Sequence, residues 1–158
     1  ALARLTRNYF RSHTPATLQD FVWWSGLSVT EAKQGIYLIG CELTEEQWKG
    51  QTWYLHESGR TRGSIKGHIR FLPPYDELLL GYKDRTDVLP SEHCSKAFTG
   101  NGLFFPVILY EGQIVGNWDR KVKRNGCDPG YSLFRQESRI DEALLDKAQQ
   151  QYMQFLGK

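Results

Sequence analysis

Cysteine is scarce in this chain of 158 residues, and it has no long apolar run. The three cysteines, Cys41, Cys94 and Cys127, are widely spaced, which favours free thiols in a reducing compartment over a disulfide framework. The longest apolar run, residues 103–110, contains Pro106 and falls short of the ~20 residues that span a bilayer. Arginines interrupt the first residues, so we expect no signal peptide, no membrane partner and a cytoplasmic location.

Patterns that mark catalysis, metal binding or nucleotide binding are also missing. His93-Cys94 is the only adjacent pair of metal-ligand types, and it lacks the Cys-x-x-Cys or paired-histidine spacing of a zinc site. The chain has no Gly-x-Ser-x-Gly motif, and Gly100-Asn101-Gly102 lacks the third glycine of a dinucleotide loop. We therefore expect no catalytic residue, no metal and no cofactor in this chain.

The charges are distributed unevenly along the sequence. Residues 1–72 carry nine Lys/Arg and six Asp/Glu, whereas residues 73–158 carry eleven and twelve, which together give the net charge of +2. Two basic runs, over residues 60–70 and 120–124, are candidates for binding phosphate. Each run is equally compatible with a solvated, charged loop. The hydrophobic fraction of 40% is enough for a core and excludes a disordered chain.

Apolar periodicity predicts three helices at the start of the chain. They cover Leu2–Ser12, residues 17–26 and residues 28–40. The start signals are capping boxes, Thr17 with Asp20 and Ser28 with Glu31. A helix, a short turn and a second capped helix form the helix-turn-helix pattern.

A β-hairpin is predicted directly after the third helix. Strands at Leu43–Trp48 and residues 52–56 flank a turn at residues 49–51. Alternation along the second strand predicts that Trp53 and Leu55 face inward and that their neighbours face outward. Three helices followed by a hairpin are the outline of a winged helix.

The rest of the chain is predicted to form strands and one final helix. Residues 104–110 and 113–118 form a hairpin around the two-residue turn Glu111-Gly112, and residues 131–136 form a third strand. Ser138 is predicted to cap the final helix.

The predicted fold class is therefore α+β, with two domains. A winged helix-turn-helix fills residues 1–70. A small β-rich unit with a C-terminal helix fills residues 71–158 and packs against it. This second unit is also compatible with a degenerate winged helix.

Three segments of the sequence carry a family resemblance. They are NYFRSHTPAT at residues 8–17 running into DFVWWSGL at 20–27, LPPYDELLLGYKDR at 72–85, and FPVI at 105–108 with GQIVGNWDR at 112–120. In order and spacing they resemble the bacterial tandem winged-helix family that includes the AlkZ-like and YcaQ-like DNA glycosylases. The resemblance spans nearly the whole chain.

The resemblance implies a role in DNA repair and a larger parent protein. Family members are much longer and stack several winged helices into a concave DNA-binding surface, so this chain is expected to be a C-terminal portion. The family's catalytic Gln-apolar-Gln or Gln-apolar-Asp motif lies in the N-terminal region and has no counterpart here. We expect a non-catalytic fragment whose parent is a candidate glycosylase, and whose partners are duplex DNA and the parent's N-terminal winged-helix domains. If it binds DNA, it would associate with the bacterial nucleoid.

A winged helix meets duplex DNA through its third helix and its wing. Lys33 is a candidate for a phosphate contact and Gln34 for reading an adenine edge. Lys49 and the loop after the hairpin offer salt-dependent phosphate contacts. The predicted DNA-binding residues are Lys33, Gln34, Lys49, Arg60, Arg62, Lys66, Arg70, Lys83, Arg85, Arg120, Lys121 and Lys123.

A protein–protein or inter-domain interaction module is the alternative function. In that case the third helix packs against a neighbouring domain and touches no nucleic acid. The low net charge favours this alternative, because isolated DNA-binding domains are usually more basic. The basic run at residues 60–70 favours DNA.

Overall fold

The computed structural model describes residues 1–59, 63–123, 126–135 and 140–155, without the side chains of residues 121–128. The chain divides into two compact units. The first unit comprises Ala1–Gly63 and Glu77–Asp84, and the second comprises Ser64–Asp76 and Arg85–Lys158. This division differs from the boundary expected at residue 70, because one short segment returns to the first unit.

Four helices and a three-stranded sheet make up the first unit. Its elements are α1 (Leu2–Ser12), β1 (Ala16–Thr17), α2 (Leu18–Ser25), α3 (Val29–Leu38), β2 (Leu43–Trp48), β3 (Gln51–His56) and α4 (Glu77–Leu80). The strand order is β1-β3-β2, and all pairs are antiparallel. The three helices and the hairpin lie where the sequence predicts them, while the two-residue strand β1 was not predicted.

Both predicted capping boxes are formed. The Thr17 hydroxyl oxygen accepts from the Asp20 N–H at 3.2 Å, and the Asp20 carboxylate accepts from the Thr17 N–H at 2.9 Å. Ser28 and Glu31 make the same reciprocal pair at the start of α3. Gly26 ends α2 in the left-handed conformation with φ of 70°, which only glycine adopts without strain.

The core of the first unit lies where α1, α2 and α3 meet the sheet. Its buried members are Tyr9, Phe10, Ala16, Phe21, Ala32, Ile36 and Ile39. Gly35 of α3 permits a close approach to α1, since a Cβ there would overlap the Thr6 hydroxyl. Each fully buried large side chain contributes about 1.5–3 kcal/mol, far more than an exposed ion pair. Apolar packing therefore sets the orientation of α3.

The facing predicted for β3 is wrong. Tyr54 packs against the core, with its ring 5.7 Å from that of Phe10. His56 is buried, and its backbone N–H donates to Thr14 Oγ1 at 2.9 Å. Trp53 lies on the opposite face, 5.5 Å from the ring of Trp48. The large indole finds a partner on the hairpin's outer face, so size alone does not indicate the buried side.

The second unit is a four-stranded antiparallel sheet with helices. Its elements are β4 (Ile69–Leu72), α5 (Cys94–Ala97), β5 (Val107–Tyr110), β6 (Gln113–Lys123), β7 (Gly126–Leu133) and α6 (Glu142–Phe155), and the strand order is β4-β5-β6-β7. The turn at Glu111 and Gly112 is formed, with φ of 48° and 80°. β7 begins earlier than the predicted strand at residue 131, and the predicted cap Ser138 lies outside the described residues.

Helix α6 closes the core of the second unit against the sheet. The buried set is Ile69, Ile108, Trp118, Ile140, Leu145 and Ala148. Trp118 stacks on Phe71 at 5.5 Å and donates its indole N–H to Leu72 O at 2.7 Å. The buried indole is therefore paired, as buried polar groups must be. This packing holds α6 beside β4 and β5.

An ion pair between α1 and the turn before β2 predicts that the fold loses stability at acidic pH. Arg7 donates to both carboxylate oxygens of Glu42, from Nε to Oε2 and from Nη2 to Oε1, each at 2.7 Å. The guanidinium lowers the pKa of Glu42 below its ordinary 4.5. A carboxylate with a depressed pKa stabilises the fold above the unfolded pKa, and this contribution is lost as the pH falls through the folded pKa.

We expect Glu42→Gln to lower the free energy of unfolding at neutral pH and to reduce its decline below pH 4.5. Urea unfolding at neutral and acidic pH measures both effects. Glu46→Gln, on the exposed face of β2, is the matched control and should leave the wild-type pH dependence intact. An unchanged pH dependence in the Glu42 variant would contradict the assignment.

Candidate nucleic-acid interface

Helix α3 presents the predicted DNA-reading residues to solvent. Ala32 and Ile36 are buried on its inner face, and Lys33 and Gln34 lie exposed beside them. Tyr37 follows one turn later with 84% of its surface exposed. The two neighbouring polar side chains are the donor types that contact phosphates and adenine edges.

The tip of the β2–β3 hairpin combines a cation with an exposed indole. Lys49 and Gly50 form the turn with φ of 50° and 72°. The Lys49 ammonium lies 4.3 Å from the centre of the Trp48 ring, and Trp48 is 49% exposed. An ammonium beside an aromatic face suits a phosphate and its attached sugar or base.

The other predicted residues of the first unit are Arg60, Arg62 and Lys83. Arg60 and Arg62 lie outside the described residues. Lys83 is exposed in the returning segment, where its backbone N–H donates to Asp20 Oδ1 at 2.8 Å. The structure thus brings Lys33 and Gln34 together on one helix and places Lys49 on the hairpin.

The remaining predicted residues belong to the second unit. Lys66 and Arg70 are exposed before and within β4, and Arg120 is exposed on β6. Lys121 and Lys123 lie on β6, with side chains outside the described part. Arg85 is half-buried, with its guanidinium 5.3 Å from the Phe98 ring and 5.7 Å from the Phe104 ring.

A partly buried polar cluster in the first unit was not predicted. His13 stacks on Tyr9 with centroids 4.5 Å apart, and its Nε2 lies 3.0 Å from Glu77 Oε1. The same oxygen accepts from the Trp24 indole N–H at 2.7 Å. The cluster fastens the returning segment to α1 and α2. Local sequence patterns could not reveal it, since Glu77 lies far along the chain.

Two phenols complete this cluster in their neutral form. Burial raises the pKa of Tyr82 to about 12, with nearby Asp20 and Glu77 adding to the rise. Burial also raises the pKa of Tyr9, whose hydroxyl donates to Gly81 O at 3.0 Å. Both phenols therefore stay protonated at neutral pH and do not act as bases, and the Tyr9 hydroxyl is a hydrogen-bond donor.

The cluster includes a serine beside the histidine, which invites comparison with a nucleophilic triad. Ser12 Oγ lies 2.8 Å from His13 Nδ1, but its hydroxyl donates to Asn8 O at 2.9 Å. The serine thus satisfies a carbonyl at the end of α1. The geometry supports a structural role for Ser12, His13 and Glu77.

A cluster of metal-ligating side chains and a membrane-spanning helix are both absent from the described part of the chain. Among those residues, no group of three or more His, Cys, Asp or Glu side chains is placed to hold a metal ion. None of the helices described is both long enough and apolar enough to cross a membrane.

Comparison with known proteins identifies similar chains. A family model described as "DNA glycosylase AlkZ-like" matches residues 1–155. An interstrand DNA cross-link repair glycosylase from Streptomyces sahachiroi is 28% identical over 126 residues, covering 75% of this chain and 34% of that protein. The solved structure of Streptomyces sahachiroi DNA glycosylase AlkZ matches with a TM-score of 0.70 and 25% identity, covering 89% of this chain and 38% of that one. The chain thus spans little more than a third of the length of these relatives.

The close packing around His13 predicts that adding one methyl group at Gly81 lowers the stability of the fold. A Cβ at Gly81 would overlap the His13 ring and lie 2.9 Å from Glu77 O. Because the ring is wedged against Tyr9, we expect Gly81→Ala to cost about 1–3 kcal/mol in urea unfolding. Gly40→Ala, where a Cβ meets nothing within 4 Å, should change stability by less than about 0.5 kcal/mol. Equal effects of the two substitutions would show that the close approach at Gly81 is unimportant.

Proposed function

Because this chain belongs to the AlkZ-like DNA glycosylase family, which confirms the resemblance seen in the sequence, we propose that it binds duplex DNA as part of a longer repair glycosylase. The first unit acts as a winged helix in this proposal. Helix α3 enters the major groove, and the β2–β3 hairpin follows the phosphate backbone. Duplex DNA and the N-terminal winged-helix domains of the parent protein are the proposed partners.

The exposed pair Lys33 and Gln34 on α3 is the observation that carries the proposal. The inner face of the helix is locked by Ala32, Gly35 and Ile36, so the pair is held outward on a rigid element. A lysine contacts phosphate whatever the base sequence of the DNA. A glutamine can form two hydrogen bonds with an adenine edge. Lys33 would thus contribute to the affinity for DNA, and Gln34 to the sequence specificity.

The hairpin tip and the other cations extend the proposed interface. Lys49 supplies a second phosphate contact from the tip, beside the exposed Trp48 ring. Further phosphate contacts are proposed for Arg60, Arg62, Lys66, Arg70, Lys83, Arg85, Arg120, Lys121 and Lys123. These contacts carry affinity that weakens with salt.

We place no catalytic residue of the glycosylase in this chain. The glutamines at residues 149–151 lie on α6, and Gln149 donates its amide to Pro129 O at 2.6 Å. An amide engaged with a backbone carbonyl is poorly placed to orient an attacking water. Cleavage of the base–sugar bond is therefore assigned to another part of the parent protein.

A specific observation favours a second candidate, in which α3 packs against another domain. Val29, Tyr37 and Leu38 are 43%, 84% and 51% exposed on the same helix as Lys33. Exposed apolar side chains of this size are typical of an interface. In this alternative the helix touches no nucleic acid.

The two candidates differ in the effect of removing the first unit's cations. We expect Lys33→Ala with Lys49→Ala to weaken duplex binding on the order of tenfold, since two charge-assisted contacts are lost. The slope of log K against log salt should become shallower by about 0.9 for each lost contact. Fluorescence anisotropy of a labelled duplex over a salt series measures both quantities.

Lys96→Ala is the matched control, because this exposed lysine of the second unit lies over the Phe134 ring and outside the proposed set. It should retain the wild-type affinity and slope. Binding that survives the double substitution with the same salt slope would favour the packing alternative for α3.

A further inference from the structure

A groove of about 240 Å³ lies between β4 and α6 in the second unit. One wall is the chain from Gly67 to Arg70, and the other is a single face of α6. The helical wall consists of Leu144, Lys147, Ala148 and Gln151. These positions fall at intervals of three and four residues, which places them on one side of a helix.

The walls of the groove are held rigidly. Ile69 and Ala148 are each 6% exposed and belong to the core. The loop entering β4 is tied at Gly67, whose N–H donates to Glu111 Oε1 at 2.6 Å. His68 O accepts from the Glu111 N–H at 2.9 Å. A ligand would therefore meet a preformed surface, which lowers the entropic cost of binding.

The side chains at the rim are cations and hydrogen-bond donors. Arg70 and Lys147 are exposed and line opposite walls, and the Arg70 guanidinium also donates to Ile69 O at 2.8 Å. His68 and Gln151 add further donors.

Two carboxylates lie near one end of the groove. They are Glu111, which accepts from the Gly67 N–H, and Asp141. Burial raises the pKa of Tyr110, opposite Ile69, and both carboxylates add to the rise. Asp146 lies about 100° around the helix from Lys147. An anion is the ligand that this rim suits best.

The size of the groove narrows the choice of anion. Its volume is below the roughly 300–1,000 Å³ of pockets that enclose small molecules and cofactors. An open groove of this size accommodates one phosphate and part of its sugar. Guanidinium and ammonium groups from two walls match the diester oxygens of a nucleic-acid backbone.

We propose that the groove between β4 and α6 binds a backbone phosphate of duplex DNA, with Arg70 and Lys147 as the charged contacts and His68 and Gln151 as supporting donors. This inference rests on the proposed function. It assigns Lys147, His68 and Gln151 of the second unit to the DNA-binding surface. The contact carries affinity without sequence preference.

Arg70→Gln with Lys147→Gln in the full chain tests the proposal against a labelled duplex at several salt concentrations. We expect binding weakened about fivefold to tenfold, and a salt slope shallower by about 0.9 for each lost phosphate contact. Changing the duplex sequence should leave this loss unchanged. Arg70→Lys, which keeps the charge, should retain most of the affinity, and thermal unfolding verifies that each variant is folded.

Lys96→Gln is the control for removing a positive charge from the same unit, and it should bind like the wild type. If the wild-type chain binds and the double variant matches it in affinity and slope, the groove proposal is wrong while the proposed function stands. If the wild-type chain binds no duplex at low salt, both proposals are wrong. A loss equal to that of Lys96→Gln would likewise reject the groove as a specific contact.

Discussion

The buried carboxylate of Asp20 is the interaction on which the first unit depends. Its side chain is 3% exposed and accepts hydrogen bonds from the Thr17 N–H at 2.9 Å, the Thr17 hydroxyl at 2.7 Å and the Lys83 N–H at 2.8 Å. A buried carboxylate is tolerated when such donors satisfy it. One residue thereby begins α2 and fastens the returning segment Glu77–Asp84 to it.

The same returning segment joins the helices on which α3 packs. In this segment the Glu77 carboxylate accepts a hydrogen bond from the Trp24 indole N–H of α2 and lies within hydrogen-bond distance of His13 Nε2 at the end of α1. Glu77 therefore links α1 to α2. Helix α3 then packs on α1 through Gly35, and its polar face is left outward. Lys33 and Gln34 face outward because Ala32, Gly35 and Ile36 are buried on the inner face of the same helix.

Local signals made the helices and hairpins predictable. Capping boxes and Gly26 mark helix ends within a few residues, so a reading of the sequence locates α2 and α3. The return of Glu77–Asp84 to the first unit rests on several long-range bonds, such as those of Lys83 with Asp20 and of Glu77 with His13, which no local pattern contains. The inward faces of β3 were mispredicted for a related reason, since Trp53 is partnered by Trp48 across the hairpin.

The same distinction applies to the candidate site. Exposed cations on a capped helix and a hairpin tip could be predicted, because exposure follows from amphipathic spacing. The packing of Arg85 over two phenylalanine rings and the groove beside Lys147 could not, because each depends on elements distant in sequence.

We propose above that the outer face of α3 contacts duplex DNA. The most direct measurement is a titration of the isotope-labelled chain with a duplex, followed by amide NMR shifts at low salt. We expect the largest shifts in the first unit on Val29–Leu38 and on Lys49 and Gly50, and we expect added salt to reverse them. Shifts that leave α3 unmoved while DNA binds elsewhere, or no shifts at all, would contradict the proposal.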